Sequence, residues 1–146
     1  MASDPLFTVS YNDKAVRDRM ARLLQKTGNL KPAMQDIGEF GLIVTERHFE
    51  TESNPDGIPW QANSPYTIAR KRAEGRIMKV LQNRGLMRAQ TSYTATNISC
   101  TIGNNSPHAR KHQLGIGVPK REFLGFGKAD LEEVARILDD HITDNR

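Results

Sequence analysis

The chain has 146 residues and a mass of 16.4 kDa, the length of one domain, which buries roughly 68–70% of the surface its unfolded form exposes. Apolar residues make up 37%, charged residues 26%, and mean hydropathy is -0.60. No apolar run approaches the roughly 18 residues that span a bilayer and residues 1–9 carry no basic leader, so neither a membrane protein nor an exported precursor is expected. The single cysteine, Cys100, excludes an internal disulfide, and four scattered histidines give no metal-ligand spacing, so a reducing compartment is expected. The net charge is +4, with an isoelectric point near 9.4. It is unevenly spread: residues 61–121 hold 11 basic side chains and one acidic residue, Glu74, while both flanks are net acidic. Such a split fits a phosphate-binding face, or a subunit whose basic side meets the acidic side of another copy.

In chain order, Val16, Met20, Leu23 and Leu24 fall on one helical face and predict an amphipathic helix over 12–26, capped by Asn12 or Asp13 and ended by Gly28. A second helix follows, with Pro32 in its first turn and Met34, Ile37, Gly41, Val44 and His48 on one face. Phe40, Ile43 and Phe49 widen that face, so this helix is expected to be packed on several sides. Gly38 and Gly41 would let a neighbouring element approach closely. Residues 53–65 form a Pro/Gly-rich loop holding Trp60, which is expected to lie as a lid over a core edge. Ser64 then caps a basic helix that begins at Pro65 and runs to Gly75.

Residues 91–102 read as two strands about Thr96 and Asn97, followed by a turn from Gly103 to Pro107 and two helical turns closed by Gly115. A further short strand is expected at 121–124. The last helix, over 129–142, places Leu131, Val134, Leu138 and Ile142 on one face. The predicted class is α+β: two long N-terminal helices, a small antiparallel β-sheet and a C-terminal helix packed on it. The whole of 1–146 makes one domain, with 1–10 as an N-terminal arm.

No arrangement reads as a catalytic site, a nucleotide loop or a cofactor site, so neither enzyme activity nor a cofactor is expected. The basic run Arg70, Lys71, Arg72, Arg76, Lys79, Arg84 and Arg88 is the strongest candidate surface. It reads either as a solvated helix face, as a contact for phosphate or for acidic neighbours, or as the DNA-binding face of a small regulator.

Three pieces in order carry a resemblance. They are Phe49 with Pro55, Asp56, Gly57, Ile58, Pro59 and Trp60; Leu81 with Gly85, Leu86 and Met87; and His112, Gln113, Leu114 and Gly115 leading to Lys120, Arg121, Glu122, Phe123, Leu124 and Gly125 before the closing acidic helix. Together they resemble the phage virion morphogenesis proteins, the tail completion family of contractile-tailed and Mu-like phages, over residues 12–142. The resemblance implies a structural protein, acting at the tail end or neck so that a filled head and a finished tail join. It also implies a homo-oligomeric ring, commonly of six subunits, made in the host cytoplasm and carried in the virion beside neighbouring tail or connector proteins. In that setting Trp60, Arg70, Arg72, Arg76, His112, Gln113 and Arg121 are candidates for subunit or partner contact. Lys71, Lys79, Arg84 and Arg88 are candidates for nonspecific contact with passing DNA.

Overall fold

The computed structural model describes residues 13–82 and 85–143. Helix α1 (Lys14–Thr27) begins where the Asp13 carboxylate accepts the Val16 amide at 2.9 Å and ends at Gly28, whose φ of 69° only glycine adopts readily. Helix α2 (Lys31–Thr51) starts with Pro32 in its first turn. It stops at Glu52, held at φ 52° while its side chain accepts the Val80 amide at 2.6 Å. Helix α3 (Pro65–Ala73) is capped by Ser64, and a single turn, α4 (Leu86–Ala89), follows. Strands β1 (Thr91–Ala95) and β2 (Cys100–Asn104) form an antiparallel hairpin in which Tyr93 faces Ile102. Helices α5 (Ala109–Leu114) and α6 (Lys128–Thr143) complete the described residues. The α+β class holds. The expected arm at 1–10 lies outside the described residues.

Two apolar clusters divide the interior along α2. The first joins α1, the N-terminal half of α2 and α6 through Leu23, Leu30, Ala33, Met34, Ile37, Val134 and Leu138. The second lies at the other end of α2, where Phe49, Trp60, Val80, Ala109, Phe123 and Leu124 are buried together. Each such aliphatic or aromatic side chain contributes about 1.5–3 kcal/mol when removed from water. Phe40 and Phe126 stack at 5.8 Å.

The close approach expected at Gly38 and Gly41 is present: a Cβ on Gly38 would enter the Tyr93 ring, and one on Gly41 would meet the tip of Ile102. The two sites differ in consequence. The aromatic ring cannot fold away, whereas the Ile102 methyl can turn aside. Gly38→Ala gains about 1 kcal/mol of helix propensity, but the overpacking costs about 1–3 kcal/mol. A net loss is therefore expected, seen as a lower urea midpoint and larger than that of Gly41→Ala. Equal midpoints for the two variants would contradict this packing.

Three expectations are corrected. Ile43 is 65% exposed rather than packed, because α2 is covered by the sheet and by α6 and leaves this side open. The turn expected from Gly103 begins later, since β2 runs on through Asn104. No strand forms at 121–124. Arg121, Phe123 and Leu124 are buried, but side chains take the place of a partner strand. Gln113 accepts the amides of Phe123 and Leu124 at 3.1 Å each and donates to the Leu124 carbonyl at 2.9 Å. His48 Nδ1 donates to the Phe123 carbonyl at 2.8 Å, and Trp60 Nε1 donates to the Glu122 carbonyl at 2.8 Å.

Candidate interaction cleft

The loop after α2 is folded by its own polar groups. Asn54 accepts the amides of Asp56 at 3.0 Å and Ile58 at 2.9 Å, Gly57 sits at φ 82°, and the Trp60 amide returns to the Glu52 carbonyl at 2.7 Å. This drops the Trp60 ring edge-on against Phe49, with centroids 5.7 Å apart and planes at 80°. Trp60 is thus the lid expected, and being buried it presents its ring to the core rather than to a partner. Residues 61 and 62 are then pinned by Arg121, whose guanidinium donates to the Gln61 carbonyl at 2.8 Å and the Ala62 carbonyl at 3.2 Å.

Helix α3 is anchored by Lys71. Its ammonium donates to the carbonyls of Lys79 at 2.8 Å and Gln82 at 3.2 Å, while Gln82 donates to the Phe49 carbonyl at 3.2 Å. On the opposite side Asn104 donates to Met87 and Thr91 and accepts the Ser106 amide, closing the connection from β2 to α5. Between these elements lies a cleft of about 690 Å³, floored by Leu81, Met87, Val118 and Pro119. Its charged lining consists of Arg70, Lys71 and Arg121, with His108 and His112 beside them, and no carboxylate among the described residues. Burial pushes the Lys71 ammonium and the Arg121 guanidinium below their ordinary values. Their hydrogen bonds go to neutral carbonyls, and Glu52 adds an opposite charge near Lys71, so both side chains serve to hold the backbone of the cleft walls.

Burial also lowers the two histidines of this region, His48 and His112, with the neighbouring Arg121 and Lys111 charges adding to the effect at His112. His48 Nε2 and His112 Nδ1 are buried without a hydrogen-bond partner among the described residues. A depressed folded-state value means that the neutral ring is the folded form. Stability is therefore fully present above the ordinary histidine value of 6.5 and is lost as the pH falls through the lower folded values. The unfolding midpoint in denaturant is expected to be level from pH 8 to about 7 and to drop by pH 5.5, with a weaker drop in His48→Gln. A midpoint that holds across that range would contradict neutral burial.

The basic run does not form one exposed helical face, because α3 stops at Ala73 and the chain reverses through Gly75 at φ 65°. Arg70 and Arg76 both lie against Glu74, at 3.7 and 3.4 Å. Lys71 is buried, Lys79 pairs with Glu50 at 3.2 Å, and Arg88 is forked between Glu46 and Glu50. These three cations are occupied within the chain and present no free charge to phosphate. Arg84 lies outside the described residues. Gln113 and Arg121 are buried and hold backbone, as described, while His112 forms part of the cleft wall. Within 61–121 the exposed cations that make no ion pair among the described residues are Arg72, Arg110 and Lys111. Sequence reasoning missed Glu46 and Glu50 as the counter-charges, although their spacing of four places both on one side of α2. It also missed Gln82 and Asn104, buried amides that nothing in local pattern distinguishes from surface ones.

The model of the phage virion morphogenesis family matches residues 11–143. The chain belongs to that family. Phage virion morphogenesis thus accounts for nearly all of its length, and its role is a structural one in building a phage particle. Among curated proteins, the Mu-like prophage FluMu G protein 1 of Haemophilus influenzae is 30% identical over 103 residues, which cover 68% of this chain and 70% of that one. No solved structure matches. Among the described residues no helix is long and apolar enough to cross a membrane, and no group of three or more metal-ligating side chains comes together.

Proposed function

We propose that this virion morphogenesis protein completes the tail or neck of a tailed phage or prophage particle and enables head–tail joining as the subunit of a ring, with six copies as the expected number. The observation that carries this reading is the division of charge over a chain matched to the family almost end to end. A basic centre and acidic flanks suit heterologous contacts, in which unlike faces meet, and such contacts close into rings when the rotation permits. Neighbouring tail or connector proteins would complete the joint, and the outward cations Arg72, Arg110 and Lys111 would give passing DNA at most a weak, salt-sensitive contact.

A regulator that grips DNA through 70–88 has less support, because Lys71, Lys79 and Arg88 are held by carbonyls and carboxylates of the same chain. The test is genetic and biochemical: a particle-producing strain carrying a null allele should accumulate filled heads and finished tails unjoined, and purified protein added to the lysate should restore joined particles. Normal yields of intact particles from the null strain would overturn the reading.

A further inference from the structure

The two ends of α2 carry surfaces of opposite character. Near its start, α2 and α6 enclose a groove of about 350 Å³ whose apolar wall is Phe40, Ile43 and Ile137. Around that wall stand four carboxylates, with Asp36 against His141, Glu39 accepting from the Tyr93 hydroxyl, and Glu133 and Asp140 sharing the one guanidinium, Arg136, so carboxylates outnumber cations on the rim. Ile43, more than half exposed among them, is an unspent apolar contact.

Helix α3 is the complement. Tyr66 is 74% exposed on it, Arg70 follows one turn later on the same side, and Arg72 is exposed with no ion pair among the described residues. Tyrosine and arginine are the side chains that most often anchor an interface, the ring filling an apolar pocket and the guanidinium meeting carboxylates. We propose that α3 of one copy, led by Tyr66 and Arg70, seats in the α2–α6 groove of a second copy.

Within one copy this contact is not made, since Tyr66 and Ile43 both stand exposed. Lys71 and Gln82 tie α3 to the Phe49 end of α2, and the groove lies back along that helix, from Ile43 at about 9 Å to Glu39 at about 15 Å, taking 1.5 Å per residue. The contact is therefore between unlike faces of two molecules, which propagates and, with the right rotation, closes. It rests on the ring reading and specifies which faces meet.

The experiment is oxidation of the full chain carrying Ile43→Cys and Tyr66→Cys together. Both positions are exposed, and the native Cys100 is half-buried with its thiol pushed up to about 11, so it stays out of the reaction. A reducible ladder of linked oligomers is expected from the double variant and none from either single one. Should the cysteine pair disturb folding, Glu39→Lys with Glu133→Lys gives a second route. It is expected to weaken self-association about 100-fold, and mixing with Arg70→Glu, Arg72→Glu chains is expected to restore it. Closed oligomers that form without linking, and ignore the charge reversal, would overturn these faces and leave the ring. Linked pairs that never grow would keep the faces and overturn the ring. An unlinked monomer at the highest soluble concentration would overturn both.

Discussion

Phe49→Ala is expected to lower stability by about 3–5 kcal/mol, the range for emptying a fully buried aromatic site. The ring is the hub of the second cluster, edge-on to Trp60 and tilted against Phe123 at 5.4 Å, so its removal leaves a cavity between two large neighbours that cannot both collapse into it. A domain of this kind has about 5–15 kcal/mol in all, and the melting temperature should fall by about 10 °C or more. The readout is built in: Trp60 is the only tryptophan, and its emission should shift to the red as its apolar support is lost. For comparison, Ile43→Ala removes an exposed side chain and should change stability by no more than about 0.5 kcal/mol. A Phe49→Ala melt within a few degrees of the parent would mean that the lid and the core edge beneath it are not packed as described.

Gln113→Leu should rival it, by a different mechanism. The replacement is close in volume, so little cavity forms, but the amides of Phe123 and Leu124 and the Leu124 carbonyl lose their partners in a buried setting. Each orphaned group costs about 1–3 kcal/mol. Water entering beside the segment will relieve some of this, and a total of about 3–5 kcal/mol is expected from chemical unfolding. The same variant decides between two roles for Gln113. A partner contact would leave the monomer's stability unchanged and weaken assembly alone, whereas the backbone clamp described above predicts unfolding first.

That residue also marks where sequence reading stops. The long helices were legible because Leu23, Ile37, Val134 and Leu138 repeat at helical spacing and because Asp13, Gly28 and Ser64 are strong local end signals. The hairpin was legible from alternation at Ile98, Cys100 and Ile102, and the close approach at Gly38 and Gly41 from the cost of placing glycine inside a helix. Segment 121–124 was misread for a physical reason. It is short and largely buried, as a strand would be, but its hydrogen bonds are met by Gln113, His48 and Trp60, residues 10 to 75 positions away, and one-dimensional periodicity carries no record of them.

The basic stretch failed similarly. Its composition was visible, yet the direction of each charge depended on where Gly75 turned the chain and on Glu46, Glu50 and Glu74. The same holds for Ile43, whose apolarity read as burial. Exposure is decided by which side of α2 the sheet and α6 leave open.

The central claim is that the chain is a self-assembling particle component, and the native mass in solution tests it most directly. Light scattering over a range of protein and salt concentrations, with and without duplex DNA, should give a discrete closed oligomer whose mass is a small whole multiple of 16.4 kDa and does not depend on DNA. A dimer that binds DNA tightly and in a sequence-dependent way at physiological salt would contradict it and transfer the function to the regulator reading.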